Sequence, residues 1–386
     1  MTSKAKIHLD RVAKTYPGSK VPAVDELTLD ILEGEILVLV GPSGCGKSTT
    51  LRLINRMIEP SGGRIMLDGE DVTKANPDKL RRRIGYVIQQ IGLFPHQTIA
   101  QNIGTVPKML GWDKKKIAAR ADELLATVGL DPEQYRDRFP KELSGGQAQR
   151  VGVARALGAD PDIMLMDEPF GAIDPITRDR LQNEFLRLQE ELHKTIVFVT
   201  HDIDEAIKMG DRIAILGERS TIRQYDTPER ILAYPVDDFV NDFIGTGSTI
   251  KGLNFQQVSS LTLPDYPAIR PEDSADVARG KLDAAGEEWL VLLDDAGHPQ
   301  RWLSTDDVAA GPSTYGEKGE EVGDTLNQDD TLFTALEHMV QSAAGKSCVV
   351  DESGRFAGVV EMAHLNKAIR RAQYEAQRHY EEMERA

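Results

Sequence analysis

The most informative hydrophobic pattern of the chain is a short apolar run, followed by a glycine-rich segment and then by helical spacing. Residues 35–40 read Glu-Ile-Leu-Val-Leu-Val, and β-branched apolar runs of this length are typical of buried strands. Across residues 48–57 the apolar positions Leu51, Ile54 and Met57 recur on one face of a helix. The pattern predicts a strand, a connecting loop and a helix.

The connecting loop, residues 41–48, reads Gly-Pro-Ser-Gly-Cys-Gly-Lys-Ser and matches the phosphate-binding pattern G-x-x-x-x-G-K-[ST]. Its glycines allow successive backbone N–H groups to point at phosphate oxygens, and the next helix adds its positive N-terminal end. Lys47 would reach the β- and γ-phosphates, and the Ser48 hydroxyl would bind Mg²⁺. The alternative is a glycine-rich turn with an accidental lysine. With strand and helix on either side, the loop predicts nucleoside triphosphate binding.

Composition narrows the class of protein. A chain of 386 residues exceeds the size of a single core, so we expect two or three domains. The sequence has no run of ~18–20 apolar residues and no signal-peptide core, which predicts a cytosolic chain that acts at membranes only through a partner. A net charge of −16 argues against non-specific nucleic-acid binding. Cys45 and Cys348 lie far apart in sequence, so we expect no structural disulfide.

A second apolar run, residues 163–166, ends in the two carboxylates Asp167 and Glu168. A parallel strand would deliver Asp167 to the carboxyl edge of the sheet, where phosphate sites form. There Asp167 would hold Mg²⁺, as the Walker B aspartate does in loop-type NTPases. Glu168, one residue further, would polarise the attacking water.

Between these two motifs lies Leu-Ser-Gly-Gly-Gln at residues 143–147, followed by a helical stretch at 148–157. Alone, it is as typical of a plain helix N-cap as of a phosphate site. Twenty residues before the Asp167 strand, it makes the chain resemble the ATP-binding cassette (ABC) ATPases, whose signature motif is LSGGQ. The resemblance implies an α/β fold: a P-loop NTPase cassette with a RecA-like core, an antiparallel β subdomain and a helical subdomain.

The resemblance also implies roles for single residues. Tyr16 would stack on adenine, Gln89 would contact Mg²⁺ and water, Asp174 would lie in the loop at the dimer interface, and His201 would contact the γ-phosphate. Gln90, next to Gln89, is the alternative glutamine. Glu168, His201 and Gln89 are the implied catalytic residues, and Ser48, Gln89 and Asp167 the implied Mg²⁺ ligands. The remaining implied ATP-binding residues are Gly41, Pro42, Ser43, Gly44, Cys45, Gly46, Lys47, Thr49, Ser144, Gly145, Gly146 and Gln147.

In the ABC family, the signature motif closes over the ATP of a second cassette. The chain has one phosphate loop and one signature, so the resemblance implies a head-to-tail homodimer.

An internal repeat follows the cassette. From about residue 269 to 310 the chain aligns without gaps to itself at a shift of 57 positions, for example Asp294 with Asp351. Each copy reads helix, strand, turn, strand, helix, and this resembles a tandem CBS pair. The first copy departs from the pattern at Pro299, Arg301 and Trp302, so binding in both clefts is doubtful and a purely structural pair is the alternative.

The expected boundaries are 1–245 for the cassette, 246–254 for a linker, 255–372 for the CBS module and 373–386 for a helical tail.

A cassette followed by CBS repeats resembles the ATPase subunits of osmoprotectant importers, which take up glycine betaine, carnitine, choline, proline and related solutes. Residues 84–96 also look typical of that subfamily. The resemblance implies membrane permease subunits, an indirect extracytoplasmic binding protein, and a peripheral location on the cytoplasmic face. It also implies an adenine nucleotide or cyclic dinucleotide at the CBS pair, and no nucleic acid. The alternatives are the ATPase of a transporter for another solute, importer or exporter, and a soluble ABC ATPase outside transport.

Overall fold

The computed structural model describes residues 5–88, 92–171 and 173–385. They form two compact units, each with its own core. The first contains the described residues up to Ile231 together with Val236–Phe243, and the second contains Leu232–Pro235 and the described residues from Ile244 onward.

The first unit contains both strands and helices, and it includes the strand, loop and helix that the apolar pattern predicts. The strands are β1 (Ala5–Lys14), β2 (Val24–Leu32), β3 (Ile36–Val40), β4 (Gly62–Leu67), β5 (Glu70–Asp71), β6 (Ile84–Val87), β7 (Ile163–Asp167), β8 (Thr195–Val199), β9 (Arg212–Leu216) and β10 (Ile222–Asp226). The helices up to β10 are α1 (Lys47–Ile54), α2 (Pro77–Arg81), α3 (Ile99–Ile103), α4 (Thr105–Met109), α5 (Lys114–Thr127), α6 (Pro132–Tyr135), α7 (Gly145–Leu157), α8 (Pro175–Leu192) and α9 (Ile203–Met209). α10 (Pro228–Ala233) and α11 (Asp238–Ile244) follow β10.

A six-stranded sheet in the order β10-β9-β3-β8-β7-β6 carries the site. β3 pairs in parallel with β8 and β9, while β7 lies in parallel between β8 and β6. Every residue of β3, β7 and β8 is buried, as expected for central parallel strands. The parallel pairing brings the loops after β3, β7 and β8 to one edge of the sheet.

A second sheet, β2-β1-β4-β5, is antiparallel. Its buried residues join those of β3 and α1 in one hydrophobic core. The antiparallel sheet and the helices α3 to α7 agree with the cassette subdomains that the resemblance implies.

The helix after the phosphate loop is shorter than its spacing predicts. α1 ends at Ile54, Arg56 has a φ of 47°, and Met57 is 51% exposed. A left-handed residue cannot continue an α-helix, so the chain leaves the helix before Met57 reaches the predicted face. Leu51 and Ile54 are buried as expected.

The second unit contains the repeat, element for element. Its strands are β11 (Ala268–Ile269), β12 (Trp289–Leu293), β13 (Pro299–Ser304), β14 (Glu320–Glu321), β15 (Ser347–Val350) and β16 (Phe356–Val360). Its helices from residue 248 onward are α12 (Ser248–Lys251), α13 (Ala275–Ala285), α14 (Thr305–Ala309), α15 (Leu332–Gln341) and α16 (Met362–Glu384). α15 begins 57 positions after α13 (332 − 275), and even the parallel pair Ile269–Leu292 recurs as Leu326–Val349.

The two copies share a core. Val291 and Trp302 of the first copy pack with Cys348 and Val359, which occupy the same two positions of the second copy. Trp302 is therefore a buried core residue (2% exposed), which accounts for its presence in the second strand of the first copy. Cys45 and Cys348 form no disulfide, as expected, and both are buried.

Two predicted boundaries fall on regular structure. The segment 246–254 contains α12, and α16 runs through residue 372 up to Glu384. The ion pairs Arg371–Glu375 and Arg378–Glu382, at i,i+4 spacing, stabilise the last turns of α16.

None of the helices built from described residues combines the length and the apolar character that crossing a membrane requires.

Candidate nucleotide-binding site

The phosphate loop lies between β3 and α1, and its glycines have conformations that side chains rarely adopt. Gly41, Gly44 and Gly46 have φ values of 157°, 82° and 113°. A Cβ on Gly46 would lie 2.2 Å from Ser220 Oγ and 2.6 Å from the Ala23 carbonyl oxygen. The loop is therefore fixed by both its backbone angles and its neighbours.

Lys47 is 6% exposed, and its ammonium group lies across the loop. Its Nζ donates to the carbonyl oxygens of Gly41 at 2.6 Å and Pro42 at 3.0 Å. The charge is thus held where the loop would receive phosphates, as the motif predicts.

Ser48 and Asp167 meet across the edge of the sheet. Ser48 Oγ donates to Asp167 Oδ1 at 2.8 Å. Burial raises the pKa of Asp167 above its ordinary value, and the hydrogen bond from Ser48 and the charge of Arg52 only partly offset this. Hydroxyl and carboxylate oxygens are ligands that Mg²⁺ prefers, and the buried carboxylate is one that a cation would compensate.

Among the described residues, no cluster of three or more histidine, cysteine or acidic side chains could hold a metal ion.

Glu168 and His201 form the second pair at this edge. His201 Nδ1 lies 3.2 Å from Glu168 Oε1, and the two side chains are 59% and 21% exposed. The pairing of Asp167 with Val199 brings the residues that follow β7 and β8 together. Glu168 has a φ of 46°, a strained conformation that turns the chain away from the strand axis at the end of β7.

Ser220 is a site residue that the sequence analysis missed. It is 0% exposed, its N–H donates to the Cys45 carbonyl at 2.6 Å, and its hydroxyl donates to the same oxygen at 3.1 Å. Arg219 and Ser220 both have positive φ, 59° and 61°. Because this turn lacks glycine and asparagine at those positions, no sequence signal pointed to it.

Tyr16 is 39% exposed, and the ammonium group of Lys14 lies 5.4 Å from its ring centroid. The segment that carries it closes with a hydrogen bond from Ala23 N–H to the Lys14 carbonyl, and Ala23 lies against Gly46. The base of the Tyr16 segment therefore lies at the phosphate loop.

The signature residues open α7. Ser144 accepts from the Gln147 N–H at 3.3 Å, and the Gln147 side chain accepts from the Ser144 N–H at 3.0 Å, which is a capping box. A Cβ on Gly146 would lie 3.2 Å from the Thr177 methyl group, a tight contact that places this turn against the start of α8. Among described residues, no hydrogen bond connects residues 144–147 with 41–48.

Asp174 caps the next helix, α8, by accepting from the Thr177 N–H at 3.0 Å. That hydrogen bond lowers the pKa of Asp174.

Gln89 and its alternative Gln90 lie outside the described residues. The structure thus brings Lys47, Ser48, Asp167, Glu168 and His201 to one edge of the sheet.

Two family models match the chain: ABC transporter over residues 24–171 and CBS domain over residues 324–371. The glycine betaine/carnitine/choline transport ATP-binding protein OpuCA of Bacillus subtilis is 59% identical over 93% of this chain and 95% of its own length. The osmoprotectant import ATP-binding protein OsmV of Salmonella typhimurium is 42% identical over 93% and 95%. The chain belongs to the osmoprotectant-importer family of ABC transporter ATP-binding subunits.

Solved ABC cassettes support the fold. The dimeric structure of the bacterial cassette MJ0796 is 36% identical, with a TM-score of 0.52, and covers 57% of this chain and 98% of its own. A second structure of MJ0796, after hydrolysis, contains ADP and phosphate. The expected fold class and ATPase activity of this ABC subunit are thereby confirmed.

Proposed function

We propose that this chain binds ATP with Mg²⁺ and hydrolyses it to drive import of quaternary amines through separate membrane permease subunits. The observation that carries the chemistry is the pairing of Ser48 with Asp167 and of Glu168 with His201 at one edge of the sheet. The observation that supports the solute class is 59% identity to a glycine betaine/carnitine/choline transport protein over nearly the whole chain.

Each residue then has one task. The loop N–H groups and Lys47 bind the phosphates, and Ser48 with Asp167 would hold Mg²⁺, which neutralises charge on the transferred phosphoryl group. Glu168 accepts a proton from the attacking water. His201, 3.2 Å from Glu168, holds that carboxylate in place and would donate to the γ-phosphate.

We further propose that the active form is a head-to-tail homodimer. The N–H groups of Gly145 and Gly146 open α7 and have no intrahelical acceptors, and the exposed Ser144 and Gly145 lie where they would meet the ATP of a partner chain. Mixing Ser144→Arg chains with Lys47→Ala chains should restore partial ATPase activity, because one composite site per mixed dimer stays intact. Activity no higher than that of either parent, with mixed dimers demonstrated, would contradict this arrangement.

The solute class is tested by uptake. The permease, the external binding protein and this chain are reconstituted in vesicles, and ATP-dependent uptake is measured for glycine betaine, carnitine, choline and proline. Uptake of at least one quaternary amine, lost with Glu168→Gln, is the expected result. If none of these solutes is taken up, the solute assignment is wrong.

We also propose a peripheral location on the cytoplasmic face of the membrane, which predicts that the chain co-purifies with the permease.

The second unit is proposed to regulate import, in response to ionic strength or to an adenine nucleotide or cyclic dinucleotide. The support is that the named ATP-site residues lie in the first unit, whereas the repeat has its own core. A chain truncated near Thr249 should keep basal ATPase activity and lose the dependence of uptake on salt or nucleotide. Identical response curves for full-length and truncated chains would show that the repeat pair is structural.

A further inference from the structure

A buried carboxylate lies one turn after His201. Glu205 is 8% exposed and belongs to the first turn of α9. Asp202 caps this helix, and its side chain accepts from the Glu205 N–H at 3.2 Å. Since an ionisable side chain is costly to bury, a carboxyl group at this position needs a compensating role.

The ring of His201 depends on its backbone for its position. It is 59% exposed, and the contact that the described residues record for it is Glu168 Oε1 at 3.2 Å. On one side, the Thr200 N–H donates to the Leu39 carbonyl at 3.2 Å. On the other side, the Asp202 N–H donates to Thr200 Oγ1 at 3.0 Å and α9 begins at the next residue. The first turn of α9 therefore fixes one of the two ends that hold the histidine.

Glu205 ties that turn to α8. Gln182 of α8 is 5% exposed, and its Nε2 donates to Glu205 Oε1 at 3.0 Å. Burial raises the pKa of Glu205, and the nearby polar side chains of Thr200 and Gln182 only partly offset this. Because both members of the bond are shielded from water, removing the donor leaves a buried acceptor that water does not readily satisfy.

The start of α8 is itself held by the loop that precedes it. Asp174 accepts from the Thr177 N–H at 3.0 Å, and the Arg178 guanidinium donates to the Ile173 carbonyl at 2.9 Å. Arg178 and Gln182 are four residues apart (182 − 178), so they lie on the same face of the helix. The face that meets Glu205 is therefore fixed one turn earlier.

The signature turn packs against the same part of α8. A Cβ on Gly146 would lie 3.2 Å from the Thr177 methyl group and 3.7 Å from Leu181 Cδ1. Leu181, next to Gln182, is 4% exposed. The first two turns of α8 are thus supported by α7 as well as by the loop, and Gln182 gives α9 a fixed anchor.

The other end of α8 provides an internal control. Gln189 is also buried, at 9% exposed. Its Nε2 donates to the Gly34 carbonyl at 3.2 Å, and its Oε1 accepts from the Lys194 N–H at 3.2 Å. Gly34 and Lys194 precede β3 and β8, so they lie at the edge of the sheet opposite the phosphate loop. The two glutamines share a helix and a degree of burial, and they differ in what they hold.

We propose that Glu205 and Gln182 are positioning residues that hold His201 beside Glu168. Glu205 fixes the first turn of α9 to α8, and that turn sets where the histidine leaves the backbone. The position of the ring follows from this packing alone. Its effect on hydrolysis rests on the proposed function, in which His201 donates to the γ-phosphate.

The first test separates kcat from KM in the full-length protein. Glu205→Ala and Gln182→Ala should each lower kcat for ATP hydrolysis about tenfold, as expected for a lost hydrogen bond to a buried acidic group. KM for ATP should stay close to that of the wild type, because the phosphate loop is unchanged. Glu205→Gln keeps the shape of the side chain and an acceptor for Gln182, so it should restore most of the rate. A Glu205→Gln variant as slow as Glu205→Ala would overturn the proposal.

Gln189→Ala is the matched control for Gln182→Ala. Among described residues it removes three hydrogen bonds, whereas Gln182→Ala removes one. If Gln182 only stabilises the fold, Gln189→Ala should lose at least as much activity. We expect the reverse: Gln189→Ala lowers Tm and leaves kcat unchanged. Rates that follow Tm across these variants would overturn the proposal.

The second test asks whether Glu205 acts through His201. In single-turnover hydrolysis, Glu205→Ala should cost nothing further once His201→Ala is present, because residues that act through one another are not additive. An equal fold-loss in both backgrounds would contradict positioning.

A spectroscopic measurement keeps the test independent of hydrolysis. With histidine labelled at Cε1, the His201→Gln spectrum identifies the His201 signal among the eight histidines. That signal should shift in Gln182→Ala and stay in place in Gln189→Ala, and an unmoved signal in Gln182→Ala would overturn the proposal. A shifted signal together with wild-type hydrolysis by His201→Ala would instead remove His201 from the proposed function and leave its positioning intact.

Discussion

The phosphate loop edge of the first unit and the buried serines of the second unit differ in how their polar groups are satisfied. At the loop edge, Lys47 has two carbonyl acceptors and Ser48 has a carboxylate. In the second unit, the buried hydroxyls of Ser342 and Ser347 have no partner among described residues. The first arrangement holds groups in place for chemistry before the substrate arrives, whereas a buried hydroxyl without a partner costs stability. Four predictions test this contrast.

The largest effect is expected at Glu168. Glu168→Gln keeps the shape of the side chain and removes its ability to accept a proton, so hydrolysis should fall by ~10²–10⁴ while ATP binding persists. The measurement is phosphate release beside equilibrium ATP binding, with Glu190→Gln, exposed on α8, as the control. Near wild-type hydrolysis would remove Glu168 from its assigned role.

Gly46→Ala should impair ATP binding next most strongly. A Cβ there would approach the backbone oxygen of Ala23 to 2.6 Å, and the φ of 113° adds strain of ~1–3 kcal/mol. Gly18→Ala is matched, since Gly18 also has a positive φ, 85°, but open space around it. Equal ATP affinities for the two variants would show that the loop is not held by its neighbours.

Ser220→Ala should have a smaller effect. It removes the hydroxyl bond to the Cys45 carbonyl and keeps the backbone bond, so we expect a loss of roughly 0.5–1.5 kcal/mol in loop stability. KM for ATP should rise a few-fold with little change in kcat. A fall in kcat at constant KM would contradict support of the loop through Ser220.

The smallest and most discriminating effect compares two serines. Ser304→Ala removes an N-cap that accepts from the Asp307 N–H, and should lower the free energy of unfolding by ~1 kcal/mol. Ser347→Ala removes a hydroxyl without a partner and should leave that free energy unchanged or higher. Denaturant titration of both variants checks this, and a loss at Ser347 equal to that at Ser304 would show that its hydroxyl is bonded.

The parts of the site that follow from local sequence were predictable. The strands β3 and β7, the loop between β3 and α1, and the signature helix each have a pattern confined to a few neighbouring residues. The repeat was predictable for another reason, since its two copies align without a gap at a shift of 57 positions.

The parts of the structure that depend on residues distant in sequence were not predictable. The end of α1 is set by a left-handed Arg56 whose guanidinium donates to the Val72 carbonyl, 16 residues away. Ser220 supports a loop 175 residues earlier in the chain.

The parallel pairing of β3 has a consequence for synthesis on the ribosome. Ile36 pairs with Ile196, 160 positions later (196 − 36). At ~5–20 residues per second, roughly 8–30 s separate the translation of these partners. During that interval the five residues of β3, all buried in the finished protein, wait for both neighbouring strands. An apolar strand therefore stays unpaired on the nascent chain during that interval, and nucleotide first meets a complete pocket only after His201 and Ser220 have left the exit tunnel.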